Sequence, residues 1–158
     1  MPSPLIDNDD VRILNVLQTD GRITNADLAE RTGMSASPCW RKVRRLEQDG
    51  VIRGYGAQLS RRALGLGVHA YVSVEIGDHS GDVTDEFEAA VRGYDEVVAC
   101  HQVTGGADYM LIVVARDLDS YAEFANRKLR TLRGIKSIAT SFVLNEAKPQ
   151  QGLPLRPQ

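Results

Sequence analysis

Glycines at Gly21, Gly33 and Gly50 cut the first fifty residues into three pieces, each opened by a residue type that caps helices. Such spacing admits only short helices that must pack on one another, because an isolated helix of two or three turns is not stable in water. The first piece, "IDNDDVRILNVLQTDGR", has Asp7 as N-cap with Asp10 three residues on, and Ile6, Ile13, Val16 and Leu17 at helical spacing. In "TNADLAERTG", Thr24 caps, Asp27 stands three residues later, Leu28 and Ala29 supply core, and Gly33 stands in the left-handed stop position. The third piece opens at Ser35, tolerates Pro38 in its first turn, and is ended by Gly50.

The third piece also carries most of the local positive charge. Residues 31–62 hold eight Lys/Arg against two acids, whereas residues 1–30 hold two against six and residues 63–158 nine against thirteen. A formal net charge of -2 thus conceals one basic island, and local field decides whether a polyanion is attracted. On a helical wheel, Cys39, Val43 and Leu46 face the core, and Arg41, Lys42, Arg44 and Arg45 are expected on the opposite arc. Trp40 falls at the boundary, where core packing competes with an outward role. A charge run by itself is usually a solvated helix face. Here it lies on the last of three short helices, after the short turn "TGMS" and before a glycine-containing segment, "VIRGYGAQLS", that reads as a hairpin or wing. That pattern is a helix-turn-helix, whose second helix enters the major groove of double-stranded DNA. The expected DNA-facing set is Ser35, Ser37, Pro38, Trp40, Arg41, Lys42, Arg44 and Arg45, with the serines and first-turn amides meeting phosphate.

Beyond a connector around residues 60–67 the texture changes. "HAYVSVEI" alternates with period 2, "DVTDEFEAAVRGY" has helical period, and "EVVACHQVTG" and "DYMLIVVA" are strands joined by "GGA". "DLDSYAEFANRKLRTLRG" places Leu118, Tyr121, Ala125, Leu129 and Leu132 on one helical face before Gly134, and "IKSIATSFVLNE" supplies a last strand. The order βαββαβ predicts a ferredoxin-like sandwich, so the fold class is α+β. Both faces of "YMLIVVA" are apolar, and the face without helices requires a cover, most simply a second copy of the chain. Residues 149–158, rich in proline, are expected to form a loose tail.

Other chemistries find little support. The two cysteines, Cys39 and Cys100, are too far apart for a disulfide framework and are expected to be reduced, buried thiols. His69, His79, Cys100 and His101 have no zinc spacing, "TGGAD" lacks the lysine of a phosphate loop, and no catalytic constellation stands out, so no enzyme, metal or cofactor is expected. "YMLIVVA" lacks the paired aromatics with which a βαββαβ domain stacks RNA bases. Neither a membrane-spanning run nor a signal peptide is legible, and the expected location is the cytoplasm.

The stretches "SPCWRKVRRLEQDGVIRGY" and "VTGGADYMLIV" resemble the Lrp/AsnC, or feast/famine, family of transcription regulators, and the likeness runs from about Ile6 to Lys148. The resemblance implies a winged helix-turn-helix over 1–54, a linker (hinge) strand over 55–66 and an ACT-like (RAM) ligand-sensing domain over 67–148. It implies no cofactor but a small effector, often an amino acid, and homodimers assembling into octamers or similar rings. Carried over to this sequence, the effector site comprises Thr104, Gly105, Gly106, Ala107 and Asp108, flanked by Gln102, Leu118, Phe142 and Leu144. Asp108 could receive an α-ammonium group or merely cap local backbone.

Overall fold

The computed structural model describes residues 6–77 and 80–156. His79, weighed above as a metal ligand, lies outside them. The chain divides into two compact units, one formed by residues up to Gln58 together with those from Lys148 on, the other running from Leu59 to Ala147.

In the first unit, α1 spans Asn8–Thr19, α2 Asn25–Thr32 and α3 Ala36–Gln48. The Asp7 and Asp10 side chains close a reciprocal capping box at the start of α1, with bonds of 2.8 and 3.0 Å, so two otherwise orphaned amides are satisfied. Thr24 accepts from the Asp27 amide, and α2 ends where the Met34 amide donates to the Ala29 carbonyl at 2.8 Å. The three helices meet over Ile13, Leu14, Leu28, Ala29, Cys39 and Leu46. Asp10 is the exception in this core, a carboxylate with no exposed surface.

Two expectations for this unit are corrected. The hairpin after Gly50 does not form within the chain: residues 53–60 carry no strand. Val51 and Ile52 pack against the helical core and the Ile52 amide donates to the Leu46 carbonyl, so this segment is anchored to the end of α3 and has no returning strand. Nor is the tail loose. Gln18 on α1 brackets Leu153, donating to its carbonyl at 3.1 Å and accepting from its amide. Leu155 packs on the core beside Leu14, Leu17, Val51 and Ile52. Two leucines spaced by one proline thus supply apolar contact that composition alone concealed.

The second unit contains β1 (Val68–Ile76), α4 (Gly81–Arg92), β2 (Val97–Gln102), β3 (Tyr109–Ala115), α5 (Leu118–Phe124) and β4 (Ile135–Phe142). All neighbours are antiparallel and the sheet order is β2-β3-β1-β4, the split βαβ arrangement. Register carries Ala70, Val72 and Val74 beside Val113, Leu111 and Tyr109, all buried under the helices with Phe87, Val91 and Phe124. The alternate residues Tyr71, Met110, Ile112 and Val114 face away and stay partly exposed. Cys39 is buried as expected, and burial raises its thiol pKa. Cys100 is exposed instead, because β2 is an edge strand and most of its residues are open to solvent.

The helix expected through 117–134 is not uniform. After Phe124 it widens into a π-helical turn, Ala125–Leu129, where the Arg130 amide reaches back five residues to the Ala125 carbonyl. The widened turn keeps Ala125 and Leu129 buried while Leu118, at the other end, is 61% exposed. Gly134 then reverses the chain at φ 80°, and a Cβ there would stand 2.3 Å from Val83 Cγ1 on α4. Gly134→Ala is therefore expected to destabilise the second unit by about 2–4 kcal/mol through backbone strain and overpacking, measured by denaturant unfolding with hydrogen exchange on β1 and β4. An unchanged midpoint would contradict this close approach.

Candidate DNA-reading helix and effector loop

Along α3, Cys39 and Leu46 are fully buried and Val43 is half-buried, so the core stripe expected from sequence is present. The cations divide in two. Arg41 is exposed and has no ion pair among the described residues, and the Arg44 side chain is 59% exposed with only a 3.8 Å contact to Glu47. Arg44 also lies over the Trp40 ring, 5.6 Å from its centroid, and Trp40 is 52% exposed, outside the core. Ser35 occupies the N-cap position but makes no side-chain capping bond, and Ser37 is exposed beside the half-buried Pro38.

Lys42 and Arg45 are tied to α1 instead, although the Arg45 side chain stays 43% exposed. At ~100° per residue Lys42 falls only roughly 40° from Leu46, on the flank of the core stripe. Its ammonium contacts Asp7 and lies 3.3 Å from Asp10, and Arg45 bonds to the other Asp10 oxygen. Asp10 thus holds two cations of α3 while also accepting the Asp7 amide. The Arg45 Nε is buried without a hydrogen-bond partner. Sequence reasoning placed Asp7 and Asp10 only in the capping box; their partners stand more than thirty residues away, and no local pattern reports that pairing.

These contacts set the titration of the pair. The hydrogen bond from Lys42, then the Asp10 amide, pulls the Asp7 carboxyl down to about 2. Burial works against the charged Lys42, but its bonds to Asp7 and Asp10 prevail and raise its pKa. Because the Asp7 value is depressed on folding, its stabilisation is complete above its ordinary value of 3.8 and is lost as pH falls from about 4 toward 2. Asp7→Asn keeps a good N-cap residue and is expected to flatten that part of the stability-pH curve, followed by thermal unfolding of the first unit between pH 2 and 5.

In the second unit, the loop between β2 and β3 carries Thr104, Gly105, Gly106, Ala107 and Asp108. Gly105 adopts φ 121°, a backbone that disfavours side chains, and nothing stands within 4 Å of the space its Cβ would fill. Asp108 is committed locally: its Oδ2 accepts the Ile76 amide at 2.7 Å, its amide donates to the Val74 carbonyl, and its carbonyl accepts from Val103. The Oδ2 bond fastens the loop to the end of β1.

The remaining expected effector residues lie elsewhere. Gln102 is beside the loop, opposite Tyr109, but Phe142 pairs with Ala70 and Leu118 follows the far end of β3. The seven residues of β3 separate the two groups, a span of roughly 20 Å. One subunit does not bring them together. Leu118 and Phe142 instead line an open cavity of about 310 Å³ with Tyr121, Asn126, Ile138 and Thr140, beside the π-helical turn. Tyr121 and Thr140 share a hydroxyl hydrogen bond, and Phe142 meets the Tyr121 ring edge-on. Leu144 is 93% exposed and lies away from this cavity, beside Arg61, Arg62 and Glu146. The helical spacing of Tyr121 and Asn126 offered no signal for this cavity, which exists only once the widened turn packs on β4. Among the described residues no group of His, Cys, Asp or Glu is arranged to hold a metal.

Comparison with known proteins decides the assignment. Residues 69–153 match the Lrp/AsnC ligand binding domain, and residues 7–53 match a winged helix-turn-helix DNA-binding domain. The chain belongs to the Lrp/AsnC family of transcriptional regulators. It is 37% identical over 150 residues to the Bkd operon transcriptional regulator of Pseudomonas aeruginosa, covering 95% of this chain and 98% of that one. It is 36% identical over 155 residues to the leucine-responsive regulatory protein of Escherichia coli, covering 98% and 94%. Among solved structures, a transcriptional regulator of Neisseria meningitidis in complex with L-methionine superposes with a TM-score of 0.91 at 38% identity, covering 95% of this chain and 97% of that one. This Lrp/AsnC protein is thus a DNA-binding regulator with a ligand-binding domain, not an enzyme. No described helix is long and apolar enough to cross a membrane.

Proposed function

We propose that α3 is the recognition helix and that Arg41, Arg44 and Trp40 are its reading face, with Ser35 and Ser37 on phosphate. The observation that carries this reading is the outward pair Arg41 and Arg44 on a helix whose other two cations are committed to α1. Arginine suits the task because it bonds guanine bidentately or grips phosphate. The uncovered sheet face bearing Tyr71, Met110 and Ile112 supports a homodimer closed through the sheets, and two reading heads then address half-sites about one DNA turn, ~34 Å, or a multiple apart. The protein works in the cytoplasm.

The effector is an amino acid, in keeping with the L-methionine complexes of the Neisseria meningitidis regulator and of a Mycobacterium tuberculosis feast or famine regulatory protein. Its site is composite: the 104–107 loop of one subunit meets a cavity edge such as Leu118 and Phe142 on another, since one chain holds these groups at opposite ends of β3. Loop amides take the carboxylate, the cavity takes the side chain, and Asp108 anchors the loop. An effector between subunits shifts assembly by its differential affinity for the two arrangements, typically ~1–3 kcal/mol.

Arg41→Ala and Arg44→Ala are each expected to weaken duplex binding and to lower the slope of log affinity against log salt by about 1. Gel shifts across a salt series measure both, and unchanged slopes would remove α3 from the interface. For the effector, a thermal-shift screen of amino acids including L-methionine should find a stabilising ligand. Phe142→Ala should abolish that shift without changing basal DNA affinity; a retained shift would exclude the β4 cavity.

A further inference from the structure

We propose that the buried Asp10 carboxylate is a positioning group for DNA recognition, which sets the roll of α3 and withholds Lys42 and Arg45 from the duplex. This rests on α3 being the recognition helix. Asp10 has no exposed surface, yet it binds two cations of α3, Lys42 on the flank of the core stripe and Arg45, whose side chain is 43% exposed, and its backbone is held by the capping box with Asp7. Two grips one turn apart on α3, both closing on one carboxylate of α1, resist rotation of α3 about its own axis, as a single contact would not. The roll decides which side chains point outward: Arg41 and Arg44 are left facing solvent, with Trp40 under the Arg44 guanidinium.

A buried carboxylate between cations is a poor device for stability alone, since desolvation offsets most of the attraction and well-packed apolar residues serve as well. Here the arrangement even leaves the Arg45 Nε buried and unpartnered. What it does supply is an arithmetic of charge. Four cations lie between Arg41 and Arg45, and two of them are matched by Asp7 and Asp10. A face with four free cations grips any phosphate backbone, whereas a face with two well-aimed arginines spends less of its affinity on contacts that carry no sequence information. Asp10 therefore acts on the ratio of specific to non-specific binding.

The test uses the full chain with two duplexes: one selected by the wild type from a random-sequence library, and one of mixed sequence. Asp10→Asn preserves shape, releases Arg45 and leaves Lys42 held by Asp7 alone. The expected result is a salt slope on mixed-sequence DNA steeper by about one, undiminished affinity for that DNA at low salt, and at least a tenfold fall in the selected-to-mixed affinity ratio. Asp10→Asn combined with Arg45→Gln should return the slope toward wild type without restoring the ratio. Asp7→Asn, which touches Lys42 only from the exposed side, should move slope and ratio in the same direction by less and serves if Asp10→Asn does not fold. A merely structural role would lower affinity for both duplexes in parallel with slope and ratio unchanged, and that result overturns the proposal. Arg41→Ala and Arg44→Ala separate the two ideas: loss of slope in these variants with parallel losses in Asp10→Asn rejects the positioning role alone. Unchanged slopes in the arginine variants reject the recognition helix itself.

Discussion

The contact on which the reading head turns is a charge with no exposed surface: Asp10 of α1, bonded to Lys42 and Arg45 of α3. The apolar stripe that α3 lends to the core is narrow: Cys39 and Leu46 are buried and Val43 is half-buried. Ion pairs are directional where hydrophobic burial is not. Burial thus brings the helices together and Asp10 chooses the face that remains outside.

The sensing unit poses the opposite problem, since its core is generous and its function lies where the core ends. Register between β1 and β3 buries one apolar face under α4 and α5 and leaves Tyr71, Met110 and Ile112 on the other. The expected effector residues sit at both ends of β3, fastened at one end by Asp108 and opened at the other by the π-helical turn. On the proposed composite site each end of the sheet contributes half, so association between subunits and ligand binding become a single thermodynamic question.

How much of this was legible in advance varied with the range of the interactions. Helix caps at Asp7 and Thr24 and the stop at Gly33 are local events, decided within four residues, and they stand where the sequence predicts them. The period-2 run from Ala70 to Ile76 is a strand for the same reason. Misreadings cluster where contacts are distant. The wheel points Lys42 outward because its partners are far away in the chain, and the tail reads as loose because its docking surface, beside Gln18, is more than a hundred residues earlier. The hairpin after Gly50 failed because Val51 and Ile52 found a better place in the helical core.

By itself the sequence determined the three helices of the first unit, the βαββαβ order of the second, the α+β class and the basic third helix, since periodicity, capping and charge clustering act over a few neighbouring residues. Only the tertiary structure decided which cations of that helix are free, that Asp108 is an anchor, and that Leu118 and Phe142 lie a strand's length from the glycine loop. Those outcomes depend on pairings between distant segments, where burial removes water and makes the choice of partner decisive.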